Sequence, residues 1–165
     1  MGKKQKRRDI SQTVLYCELW EIGCDDKWEL LSSVTLDGPV ELGCLIGEKN
    51  CRCFLMLSSC KIDSKLSCLL SSFDLLYGSL ITRHQLPIYL KNVKCIYVNS
   101  TLLIFYSNDR IYFIRMSDGK VITSIHVGQV DDCFFIPSKR LLLLFIGSGI
   151  VEHFKIHNID KFLPL

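Results

Sequence analysis

Cysteine and histidine are the residues of this chain whose spacing is most informative about chemistry. A structural zinc ion needs four thiolate or imidazole ligands, usually supplied as two close pairs. The one close cysteine pair is Cys51-x-Cys53, and no histidine lies between Cys17 and Cys68. We therefore expect no metal site. Because no secretory signal is apparent, we interpret the cysteines as small apolar residues of a protein in a reducing compartment. The nine are Cys17, Cys24, Cys44, Cys51, Cys53, Cys60, Cys68, Cys95 and Cys133.

The histidines and serines do not form a catalytic pattern. His153 and His157 are four residues apart but lack the glutamate of an HExxH motif. Gly147-Ser148-Gly149 lacks the spacing of a GxSxG nucleophile elbow, and we expect a tight turn there. His126 is close enough in sequence to Asp131-Asp132 for a His–Asp contact, although we favour a structural role for its polarity. Since no phosphate-binding glycine loop occurs either, we predict no catalytic residue and no cofactor.

Basic residues are concentrated at the amino terminus. Five of the 20 cations lie in the first eight residues, and the remaining cations nearly balance the 17 anions. The composition of the rest of the chain therefore does not indicate nucleic-acid binding. A cluster of this kind is typical of short nuclear-import signals, with an acidic-lipid contact or a solvated tail without a role as alternatives. The import-signal candidates are Lys3, Lys4, Lys6, Arg7 and Arg8.

Two tryptophans flank a turn near the start of the chain. Trp20 and Trp28 lie on either side of residues 23–27 and so belong to the two arms of a hairpin. If they are buried they are ordinary core aromatics, which is the interpretation we favour. If they are exposed they are candidates for partner binding, because tryptophan is enriched in interface hot spots.

Short apolar runs separated by turn residues dominate the chain from residue 13 onward. Asp118-Gly119, between two alternating runs, is the strongest hairpin signal. No window shows a sustained helical period, so we predict an all-β fold of antiparallel four-stranded meanders. The longest apolar run, Leu141–Ile146, is six residues, whereas a membrane-spanning helix needs about 20. We therefore expect no transmembrane segment.

The strand pattern repeats at a period near 40 residues. Leu102–Phe105 matches Leu142–Phe145 at an offset of 40, and Ile111 and Val151 open the following strands at the same offset. Four short strands in a period of this length are typical of a β-propeller blade.

The chain thus resembles the WD40-like or quinoprotein-like propeller superfamily over roughly residues 13–157, on period and strand pattern rather than on Trp-Asp or Gly-His signatures. The resemblance implies a partial propeller in residues 13–165, preceded by a disordered basic tail in residues 1–12. It assigns full blades to residues 40–85 and 93–127 and partial blades to residues 13–36 and 131–156.

About three blades are fewer than the four that the smallest closed propellers have. An open arc would expose apolar strand edges. The sequence leaves three solutions: a segment of a larger propeller, a ring completed by a second chain or a second copy, or a different closure as a β-sandwich or small barrel.

These observations favour a non-enzymatic scaffold that binds protein partners through blade edges and loops, in a complex of the nucleus or cytoplasm. Affinity would come from main-chain pairing at strand edges and specificity from side chains. Two alternatives stay open. One is a cytosolic trafficking or coat scaffold whose tail touches acidic membrane, and the other is a subunit of a propeller enzyme.

Overall fold

The computed structural model describes residues 15–22, 24–36, 39–48, 51–62, 65–74, 77–147 and 149–157. They form thirteen β-strands and one 3-10 turn at Pro137–Lys139, so the all-β prediction is confirmed. The basic tail, with its five import-signal candidates, lies outside the described residues. The strands are β1 (Leu15–Ile22), β2 (Trp28–Leu36), β3 (Val40–Glu48), β4 (Cys51–Ile62), β5 (Lys65–Asp74), β6 (Leu80–Leu86), β7 (Lys94–Val98), β8 (Leu102–Ser107), β9 (Arg110–Arg115), β10 (Val121–His126), β11 (Asp132–Ile136), β12 (Leu141–Ile146) and β13 (Ile150–Lys155).

Strands that follow one another in sequence pair antiparallel into four separate sheets. We call β1–β2 the hairpin, β3–β6 the first sheet, β7–β10 the middle sheet and β11–β13 the last sheet. The four strand groups predicted from the sequence correspond to these four sheets. In the described part of the chain the sheets are open, which is compatible with a partial propeller or a sandwich.

Turn residues with left-handed backbone conformation determine where the chain reverses direction between strands of the middle sheet. Asn108 and Asp109 have φ of 51° and 63°, and both flanking strands pair up to this two-residue turn. Positive φ at both central positions matches the right-handed twist of a hairpin, and Asn and Asp tolerate it well. The turn between β9 and β10 contains Gly119 at φ 66°, as the Asp118-Gly119 signal predicts.

The middle sheet has a buried core on each of its faces. Leu103 and Phe105 in β8 belong to the core shared with the first sheet. Leu102 and Ile104, which alternate with them, belong to the core shared with the last sheet. All four side chains are fully buried. The continuous apolar sequence of β8 is therefore explained by sheets packed on both sides of it.

The opening strands of the three larger sheets lie next to each other. β7 contacts both β3 and β11. Each of these strands carries one cysteine that is partly or fully buried: Cys44 in β3, Cys95 in β7 and Cys133 in β11. The sheets are thus stacked in sequence order with their opening strands along a common side.

One detail of the predicted repeat is wrong. At an offset of 40, Leu103 would correspond to Leu143, but Leu103 faces the preceding sheet and the residues of β12 that do so are Leu142 and Leu144. A shift of one residue moves every side chain of a strand to its other face, so the correct offset in this strand is 39. The β12–β13 turn is one residue longer than the β8–β9 turn, and this restores the offset of 40 between Ile111 and Val151.

Candidate interaction surface

The hairpin presents four apolar side chains on one face. Trp20 pairs with Leu30 and Ile22 pairs with Trp28, and cross-strand partners share a face. Trp20 is 46% exposed and Trp28 is 64% exposed. The favoured interpretation of both tryptophans as core aromatics is therefore wrong, because their face of the hairpin points to solvent. We call these four residues the hairpin face.

The two tryptophans are held at the surface in a defined way. The Trp20 indole Nε1 donates a hydrogen bond of 3.0 Å to the Glu18 carboxylate. Trp20 and Trp28 also line a shallow groove together. This arrangement brings the two partner-binding candidates into one surface feature.

A second apolar surface lies on the face of the last sheet that points away from the middle sheet. Alternation in β12 places Leu143 and Phe145 there, opposite Phe134 of β11 and Val151 of β13. The rings of Phe134 and Phe145 meet edge to face with their centroids 5.6 Å apart. Phe134 and Val151 are each about half exposed. We call these four residues the outer face.

The middle sheet shows what normally covers such a face. Ile111, the repeat equivalent of Val151, is fully buried because the last sheet packs on it, whereas Val151 is 49% exposed. Ile104 and Leu143 correspond in the same way, and Leu143 is only partly buried. The sequence of β12 is as continuously apolar as that of β8, yet it is buried on one face. The last sheet therefore has an apolar face without a cover among the described residues.

An exposed strand edge lies beside the outer face. β13 is hydrogen-bonded to β12 on one side, and within the described ranges no strand pairs with its other side. Ile150, at the start of β13, is 55% exposed. An open edge of this kind can accept a further strand by main-chain hydrogen bonding.

An ion pair connects the middle and last sheets at the beginning of their opening strands. The Lys94 ammonium donates to the Asp132 carboxylate. This contact lowers the pKa of Asp132 and raises that of Lys94. Since both groups are exposed to solvent, the pair contributes little to stability, and it joins the first residues of β7 and β11.

Four cysteines of the described structure have pKa values that burial or a neighbouring thiol perturbs. Burial raises the pKa of Cys68 to about 12 and that of Cys133 to about 11, so both stay protonated thiols at neutral pH. Cys44 and Cys95 share a hydrogen bond that raises the pKa of Cys44 and lowers that of Cys95. Where the structure describes the chain, no group of three His, Cys, Asp or Glu side chains is placed to hold a metal ion.

The other histidine and serine candidates are dispersed. His126 Nδ1 lies 3.0 Å from the Asp109 carbonyl oxygen, while Asp132 is bound to Lys94. His153 lies in β13, whereas His157 follows the end of that strand. Ser148 lies outside the described residues. These groups are not brought together into one site.

The outer face was not found by reasoning from sequence, although a signal for it exists. The run Leu141–Ile146 is typical of a strand buried on both faces, so the side of β12 that points away from the middle sheet is expected to be apolar. Reactive residue types give no signal for a surface of this kind.

Comparison of the chain with protein-family models and with curated protein sequences finds no match. No helix in the described part of the molecule is long and apolar enough to cross a membrane.

Proposed function

We propose that this protein is a non-enzymatic interaction scaffold, a segment of a WD40-like propeller whose exposed sheet surfaces bind protein partners. The observation that carries the proposal is the outer face, where Leu143, Phe145 and Val151 occupy positions that are covered by a sheet one repeat earlier. Exposed apolar patches on folded proteins mark interaction sites. The hairpin face supplies a second such patch with two tryptophans.

The propeller assignment is supported by the stacking of the sheets. In a propeller each meander packs on its neighbours and the first strands line the central axis. The contacts of β7 with β3 and β11, and the two cores of the middle sheet, have this pattern. The same contacts also fit a layered sandwich, which is the alternative to the propeller arrangement that we propose.

The scaffold function is tested by affinity capture from cell extract with quantitative mass spectrometry. Val151→Lys places a charge on the outer face, and Trp28→Lys places one on the hairpin face. Leu45→Lys is the matched control, because Leu45 is also an exposed apolar residue, at 65%, but lies in β3. We expect specific partners to be lost with Val151→Lys or Trp28→Lys and kept with Leu45→Lys. Recovery of the same partners with the wild type and with all three variants would contradict the proposal.

A nuclear location is the finer part of the proposal and depends on the basic tail. Lys3, Lys4, Lys6, Arg7 and Arg8 would form the import signal. Replacing all five by alanine in a fluorescently tagged full chain should move the protein from nucleus to cytoplasm. An unchanged distribution would remove the import role and leave the protein's location to its partners.

A further inference from the structure

The hairpin face and the outer face are two β-sheet surfaces that no described part of the chain covers. The hairpin face carries Trp20 and Trp28 at its centre, and the outer face carries the Phe134–Phe145 ring pair. Inside the molecule, apolar sheet faces of this type pack directly on each other, as the two cores of the middle sheet show. The packing mode that would join the two faces is thus already used within the chain.

The surroundings of the two faces differ in charge. On the hairpin side, the Glu18 carboxylate lies next to Trp20 and is exposed, whereas Glu29 alternates with Trp28 and Leu30 and points to the opposite face. At one end of the outer face the exposed cations are Lys155, which pairs with Leu141 in the sheet, and the adjoining Lys139 and Arg140. A carboxylate on the hairpin face and cations at one end of the outer face favour contact between the two faces in the orientation that brings Glu18 to Lys155.

We infer that the occupant of the outer face is the hairpin face of a second copy of this chain. The contact joins two different surfaces, so it is head to tail rather than symmetric. Trp20 and Trp28 of one copy pack over Phe145 and Val151 of the next, and Glu18 comes close to Lys155. The inference deepens the proposed scaffold function by naming the partner of its two surfaces, and it rests on that proposal.

Head-to-tail packing has a consequence that a symmetric contact lacks. In a symmetric dimer the outer faces of two copies would meet each other, and the hairpin would be irrelevant to association. In the head-to-tail contact, a copy with a damaged hairpin face still has an intact outer face, and the reverse holds for a copy with a damaged outer face. Two defective variants can therefore complement each other through one intact junction.

The test is the solution mass of the purified full chain, measured by light scattering after size-exclusion chromatography at increasing concentration. We expect wild type and the Leu45→Lys control to associate to at least twice the chain mass of 19.0 kDa. Trp28→Lys and Val151→Lys should each weaken association about tenfold or more, as expected for loss of a hot-spot contact. An equimolar mixture of the two variants should recover a species of two chains.

Lys155→Glu is a milder second variant, since it changes charge at the rim without touching either apolar face. It should also weaken association and reduce its dependence on salt. Circular dichroism melting of each variant establishes that the fold is retained.

Three results would overturn the inference: a wild type that stays monomeric, a Trp28→Lys variant that associates normally, or a mixture without complementation. These results are separate from failure of the scaffold function. A monomeric wild type whose partners in extract are lost with Val151→Lys would refute self-association while supporting a scaffold that binds a different protein.

Discussion

Ser107 is a buried hydroxyl that connects two segments of backbone. Its Oγ accepts a hydrogen bond of 2.9 Å from the Lys91 N–H and donates one of 3.1 Å to the Lys91 carbonyl. The side chain is fully buried at the end of β8, where water cannot replace it. These two hydrogen bonds hold the segment that connects the first and middle sheets against the end of β8.

Ser107→Ala should therefore lower the free energy of unfolding by about 1–3 kcal/mol, the typical cost of leaving buried polar groups unpaired. Urea denaturation measures the change. Ser117→Ala, at an exposed turn position, is the control and should change stability by less than about 0.5 kcal/mol. Equal effects of the two substitutions would show that Ser107 is not buried as described.

Asp118 is an exposed carboxyl group whose pKa is strongly lowered. Its carboxylate accepts hydrogen bonds of 2.8 and 2.5 Å from the Arg115 guanidinium and one from the Lys120 N–H. The Arg115 contact is the main reason that the pKa of Asp118 falls from an ordinary 3.8 to about 2. Because the folded-state pKa is depressed, the stabilisation is complete above pH 3.8 and is lost as the pH falls through 2.

An NMR pH titration should place the midpoint of Asp118 near 2 in the wild type. In Arg115→Gln the midpoint should move up toward 3.8, because the charged partner is removed. Asp132, whose pKa is lowered by the Lys94 contact in another sheet, is an internal reference whose midpoint should not respond to the substitution. An Asp118 midpoint that is unaffected by Arg115→Gln would exclude the ion pair in solution.

At the level of elements, the β9–β10 turn of the middle sheet lies very close to β6 of the first sheet. A Cβ atom on Gly119 would lie 2.4 Å from the Cβ of His84 in β6. Gly128 has nearly the same backbone conformation, with φ of 68° against 66°, but has open space around its Cα. The two glycines therefore separate the cost of left-handed backbone from the cost of a steric clash.

Gly128→Ala should destabilise the protein by about 1–2 kcal/mol, the cost of left-handed backbone for alanine. Gly119→Ala should cost about 1–3 kcal/mol more, since the turn must also move away from His84. Thermal or urea unfolding of the two variants gives the difference. If the two substitutions were equally costly, the turn would not pack on the first sheet.

A structural feature can be predicted from the sequence when the interactions that form it are between residues close in sequence. Alternation and turn residues are local, and they predicted the four strand groups and the turn at Asp118-Gly119. The residues of β12 that face the middle sheet were misassigned by one position. Leucines occupy both faces of this strand, so the sequence does not show which of them point to the middle sheet. The exposure of Trp20 and Trp28 could not be predicted, since it depends on which sheet, if any, covers the hairpin.

For the whole molecule, the order of the sheets is open to a chemical test. Cys44 of β3 and Cys95 of β7 share a hydrogen bond across the boundary between the first and middle sheets. Mild oxidation with diamide should link them by a disulfide, with loss of two thiol hydrogens that the diazene takes up. Peptide mapping by mass spectrometry identifies the link. Cys44→Ser should abolish it, and a dominant link between other cysteines would argue against this stacking order.

The last sheet repeats the strand order of the middle sheet, but none of the described residues covers its outer face. Ile111 and Val151 are equivalent positions that differ in being covered and uncovered. The most direct measurement is the free energy of unfolding of Ile111→Lys and Val151→Lys, each at a concentration low enough to keep the chain monomeric. We expect Ile111→Lys to cost about 4 kcal/mol or more, because an unpaired charge is buried, and Val151→Lys to cost less than about 0.5 kcal/mol. An equally large loss for Val151→Lys would mean that the chain covers this face itself, and the account would be wrong.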